Sequence, residues 1–197
     1  QKSLTERQAN IAEQQAQTAK ENKEIAHNKL RMEQFEKRYG IYSEILEFAL
    51  FSSDMSSSIR DYMVKLNVNY KDDFATDKYE INSESLEKYH DCKKEFFNTE
   101  AIFNDMKTQS YRKIVQATFL YNTEIFQYMD DFHKRICQLG LRKISVIKQQ
   151  IATSYFYDPD KVSSRVTSVK SLQEEIIKEA TEILPKKLKD YLDISNI

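Results

Sequence analysis

Leu4, Ile11, Thr18, Ile25, Met32 and Tyr39 recur at every seventh position of a stretch that holds no Gly or Pro before Gly40. A strict seven-residue period keeps one stripe on one side of a helix and under-winds that helix into a left-handed supercoil against a partner. The pattern thus predicts association before it predicts chemistry. The other seam positions are Gln8, Gln15, Asn22 and Lys29, polar where a strong zipper places Leu. Such polarity weakens a coiled coil while fixing its register and partner number. Ala9, Ala12, Ala16, Ala19 and Ala26 leave room for close helix approach. A lone helix of this kind is marginal in water, so the segment needs a partner helix, from another copy or from elsewhere in the chain.

Helix formers run without interruption from residue 3 to about residue 50, which predicts one helix about 70 Å long at about 1.5 Å per residue. From Met32 the apolar face broadens to Phe35, Tyr39, Tyr42, Ile45, Leu46, Phe48, Ala49 and Leu50, so the helix is expected to enter a core there. The predicted organisation is a coiled-coil-like stalk over residues 1–30 and a helical bundle domain over residues 31–197. The fold class is all-α: 2 Gly and 2 Pro are too few for the turns of a sandwich or barrel, while 11 Phe and 12 Tyr supply a core.

Ser52, Ser53 and Asp54 make a polar break, after which a second helix is expected over about 54–67 with Met55, Ile59, Tyr62, Met63 and Leu66 on one side. Asn67 to Asn82 reads as a loop. A third helix opens after the Asn82-Ser83 cap region and carries Leu86, Tyr89, Phe96, Phe97, Ile102 and Phe103. The stretch over about 109–139 is the most apolar, with Ile114, Thr118, Tyr121, Ile125, Tyr128, Phe132, Ile136 and Leu139 at spacings of three and four. It predicts the central helix of a bundle, kinked or ended by Gly140. Tyr157-Asp158-Pro159-Asp160 signals a turn, Ser171 and Glu174 read as a capping box opening a last amphipathic stretch, and Pro185 suits the first turn of a short terminal helix.

His133 and Cys137 stand four apart, with Asp130 one turn before, so the three share a helix face as a metal site requires. Zinc takes three or four ligands, and no second ligand pair of comparable spacing exists, since His90 and Cys92 point to different faces. Cys137 is therefore read as a packing residue, and no catalytic, cofactor or metal residue is assigned. The chain is not expected to be an enzyme. One alternative is a helical enzyme or effector whose site gathers scattered residues, with His133, Cys137 and Asp130 the local candidates. A second is a nucleic-acid adaptor using Lys37-Arg38-Tyr39 and Tyr111-Arg112-Lys113. Against the second, the net charge of -1 lacks the basic footprint that phosphate binding requires. With two glycines there is no phosphate-cradling loop, and with two cysteines a reducing compartment fits best. No apolar run reaches membrane-spanning length. The sequence opens at Gln1 in place of an initiator Met, and a segment of the signal or membrane-helix kind is expected to have been removed upstream.

Gln34-Phe35-Glu36-Lys37-Arg38-Tyr39-Gly40-Ile41-Tyr42, entered from the heptad run, resembles a recurrent block of uncharacterised bacterial proteins. Those proteins carry an N-terminal transmembrane helix, a coiled segment and then a helical domain. Ala117-Thr118-Phe119-Leu120-Tyr121, followed by Glu124-Ile125 and Tyr128-Met129-Asp130, is similar to their second block. The resemblance implies a membrane-tethered helical domain of unknown activity with no catalytic residues to carry over. Lys2 and Arg7 would then favour the cytoplasmic side of a bacterial inner membrane. The expected role is an interaction or scaffolding module without nucleic acid, meeting a protein partner or a second copy through Leu4, Ile11, Thr18, Ile25 and Met32.

Overall fold

The structure is a computed structural model that describes residues 2–58, 61–62, 83–152 and 159–193. It is an all-α helical bundle. Helix α1 spans Lys2–Asp54 in one unbroken run of 53 residues, as the run of helix formers predicts, and passes through Gly40 without a break. From Ser3 to Leu30 every side chain is exposed, burial starts at Arg31, and the first fully buried residue is Ile41. Ile41, Ile45, Phe48 and Ala49 then put one face of the helix into the core. The expected helix over 54–67 falls partly, and the loop over 67–82 wholly, outside the described residues; Met55 and Tyr62 are buried.

Helix α2 covers Ser83–Ala117, opening where the Asn82-Ser83 signal places it. Its core face carries Phe96, Phe103, Ser110 and Ala117, a strict seven-residue stripe, and leaves Phe97 and Ile102 about half exposed on the outside. The single helix expected over 109–139 is corrected: α2 ends at Ala117, residues 118–122 turn, and helix α3 spans Thr123–Ala152. The turn tightens through Leu120 N–H to Ala117 O at 3.0 Å and Phe119 N–H to Gln116 O at 3.3 Å. Asn122 then caps α3, its Oδ1 accepting from Ile125 N–H at 2.9 Å. The apolar spacing runs straight across this break, because the residues on its two sides line one core from two antiparallel helices.

Gly140 neither kinks nor ends α3, which continues to Ala152. It is instead the crossing point of α2 and α3: a Cβ there would lie 2.0 Å from Phe103 Cε2. The C-terminal half of α1 meets α2, α3 and every element of the C-terminal segment, and α3 packs on α1, α2 and α4 and reaches the π-turn through Arg135 and Glu179.

Helix α4 covers Pro159–Lys178, a π-turn Glu179–Ile183 follows, and α5 covers Leu184–Leu192. The expected turn before Pro159 lies largely outside the described residues, and Pro159 itself starts α4. Ser171 and Glu174 therefore sit inside a helix and cap nothing. Pro185 explains the π-turn: it has no N–H for the carbonyl four residues back and its ring crowds that carbonyl, so the turn widens. Leu184 N–H accordingly reaches Glu179 O, five residues back.

Candidate functional site

The stalk is a single helix with its apolar stripe uncovered. Leu4, Ile11, Ile25 and Met32 are 62%, 53%, 65% and 45% exposed, and Thr18 between them is exposed as well. Gln, Asn, Glu, Lys and Ala residues occupy most of the remaining surface, so the stripe is the main run of large apolar side chains along about eight helical turns. Leu30, 53% exposed, lies off the stripe, about 140° round the helix from Ile25.

Where the stalk joins the bundle, its direction is fixed by Arg38. The guanidinium donates from Nε to Leu120 O at 3.2 Å and from a terminal nitrogen to Tyr191 O at 3.4 Å, and it lies over the Tyr191 ring. Tyr121 returns the bond, its hydroxyl donating to Arg38 O at 3.0 Å, while the Tyr121 and Tyr191 rings stand 5.1 Å apart. Burial pushes the Tyr121 phenol well above its usual range, which keeps it a donor. Phe35 and Tyr39 stack along α1 just outside this clamp, with the Tyr42 ring tilted against Tyr39. The segments 34–42 and 117–121, distant in sequence, thus meet at the stalk base. The seven-residue pattern conceals this use of Arg38, because only the fold brings the α2–α3 turn and the end of α5 to it.

His133, Cys137 and Asp130 lie together on α3 but act in different directions. His133 is buried, its Nε2 3.0 Å from Ser110 Oγ and 3.3 Å from Lys107 O, with Phe48 and Tyr111 rings beside it. Ser110 donates to Met106 O at 2.7 Å, so its oxygen is free to accept from a His133 Nε2–H. Burial lowers the His133 pKa against the opposing pull of Lys107 O. Cys137 Sγ stands 3.7 Å from Nδ1, and burial pushes its thiol up to about 11. Asp130 turns outward to Lys134 Nζ at 2.6 Å. No group of three or more metal-ligating residues occurs among the described residues. Ser110 was legible as a polar member of the 96–103–110–117 stripe, a serine where the core expects an apolar side chain.

Two buried charges escape the motif search. Lys143 is 1% exposed and donates to Ser53 O and Met55 O, each at 2.7 Å, so its ammonium holds the carbonyls at the end of α1. Its signal is a lysine within the apolar run Leu139, Lys143, Val146 and Ile147. Glu179, in the π-turn, pairs with Arg135 of α3, with Tyr128 beside the carboxylate. Both arrangements tie helix ends and turns to the core. No helix of the described residues is long and apolar enough to cross a membrane. No protein-family model, curated protein or solved structure matches the chain.

Proposed function

We propose that this protein is a helical interaction or scaffolding module that engages a protein partner through Leu4, Ile11, Thr18, Ile25 and Met32. One observation carries the proposal. An apolar stripe of four heptads is left in solvent on a helix that the Arg38 clamp holds at a set direction from the bundle. A helix with most of its apolar side chains in water gains little from its own packing, so occupancy of the stripe is what stabilises it. A rigid joint at the base transmits the position of that contact to the bundle. The resemblance of residues 34–42 and 117–130 supports a placement at the cytoplasmic side of a bacterial inner membrane, with the tether upstream of Gln1.

The test is a photo-crosslinking amino acid placed singly along the stalk in living bacteria. Adducts at positions 11, 18 and 25, with little at Glu13, Lys20 and His27 on the opposite face, are the expected result. Adducts that ignore the seven-residue period, or none on the stalk, overturn the proposal. For the tether, the product of the whole gene should fractionate with the inner membrane and the chain from Gln1 should not.

A further inference from the structure

We propose that the occupant of the stripe is the stalk of a second copy of this chain, lying parallel and in register as a two-stranded coil. The proposal rests on the association reading above and adds the identity and direction of the partner. Three features of the exposed surface support it.

The first is the polar half of the seam. In a parallel pair every position meets its own copy, so Gln8 faces Gln8, Gln15 faces Gln15 and Asn22 faces Asn22. Each primary amide carries both donors and an acceptor, so two identical amides satisfy one another. Leu4, Ile11, Thr18, Ile25 and Met32 then meet their own copies and form unmixed layers. In an antiparallel pair the two kinds of seam position face each other instead, and any register that overlaps most of the stalk sets Gln15 or Asn22 against Ile11, Thr18 or Ile25. Amides would then be desolvated opposite side chains that offer them nothing or a single hydroxyl. A buried Asn at the Asn22 kind of position also selects two strands over three or four.

The second feature is the flank. Ala12, Ala19 and Ala26 follow the apolar seam positions directly, and all are exposed. In the parallel arrangement they lie across from Arg7, Gln14 and Glu21, so no like charges meet along the edges and the backbones approach closely. Lys29 is the one layer that opposes pairing. It is exposed at the bundle-proximal end, where its long stem carries the ammonium out to water.

The third is where the stalk points. Arg38 joins α1 to the α2–α3 turn and to the end of α5, so the bundle lies wholly to the C-terminal side of the seam. Residues 3–30 are clear of it along their whole length, leaving room for a second stalk beside the first.

Full-length chains with a single substitution, Ile11→Cys, Ile25→Cys or Glu13→Cys, are oxidised mildly after sedimentation of the unmodified protein. A mass twice that of the chain is expected, falling to one on removal of residues 1–30. Ile11→Cys and Ile25→Cys should each give covalent dimers several-fold more than Glu13→Cys, which lies on the outer face. A dimer without crosslinks at these same-residue positions is antiparallel and overturns the proposal, as does a mass of three or four chains. A chain that stays monomeric also overturns it. If crosslinking in cells then still follows the seven-residue period, the stripe binds another protein and the association reading stands; if it does not, both fall.

Discussion

Gly140→Ala and Gly40→Ala change the same atoms and should have opposite effects. Both glycines lie inside helices, where Ala is favoured by about 0.5–1 kcal/mol. At Gly40 a Cβ meets nothing within 4 Å, so that gain is realised in full. At Gly140 it would fall 2.0, 2.4 and 2.8 Å from three ring carbons of Phe103, against an ordinary contact of at least 3.4 Å. Phe103 is fully buried, and its ring packs 5.5 Å from that of Phe48, so it has no free space to swing into. Relief requires moving α2 and α3 apart by roughly 1 Å or forcing Phe103 off its rotamer. Overpacking of this kind costs about 1–3 kcal/mol. After the helix-propensity gain, Gly140→Ala should remain destabilising, by up to about 2.5 kcal/mol. Urea titrations followed by near-ultraviolet circular dichroism report on the bundle without the stalk, and m should not change. Adding Phe103→Leu to Gly140→Ala should recover part of the loss, giving a favourable coupling in a double-mutant cycle. A neutral or stabilising Gly140→Ala, or a destabilising Gly40→Ala, would refute the assignment of Gly140 to the helix crossing.

The His133 pKa is lower folded than unfolded, so its contribution to stability is complete above the unfolded value of about 6.5 and is lost as pH falls below it. Replacing His133 with Gln should flatten the decline in unfolding free energy between about pH 7 and pH 5, a difference read from paired urea titrations at each pH. Cys137, pushed up to about 11, should resist maleimide at pH 7.5 in the native protein and react within minutes once urea unfolds it. Lys143→Met removes the donor from Ser53 O and Met55 O and should cost about 2–4 kcal/mol, with fraying at the end of α1 visible as faster amide exchange over residues 50–55. A native-like exchange pattern in that variant would show that other groups hold those carbonyls.

Much of the fold follows from local chemistry and was therefore legible. Helix propensity interrupted only by Gly40 specifies α1, and the Asn82-Ser83 signal specifies the start of α2, because both act over a few residues. Spacing at three and four also identified the apolar residues of 109–139, yet it could not see the turn at 118–122. A stripe that continues on the next helix has the same letters as one that stays on a single helix. Asn122, whose Oδ1 caps α3, is the one local signal of a helix start there, and a periodicity does not register it. Likewise Ser171-x-x-Glu174 has the letters of a capping box, and only the helix begun at Pro159 shows that it lies in an interior.

The seam shows the same division. Leu4, Ile11, Thr18, Ile25 and Met32 share a face because 3.6 residues per turn, under-wound to a period of seven, puts them there whatever surrounds them. That determination belongs to the sequence alone. Whether the chain's other helices cover that face depends on where they pack, and a periodicity carries no such information. The tertiary structure decided it by turning α2 to α5 around the C-terminal half of α1 and locking them at Arg38, which leaves the first thirty residues in solvent. It likewise decided that Lys143 ends α1, that His133 meets Ser110, and that Gly140 admits Phe103. Each joins residues far apart in the chain, and only packing selects such pairs.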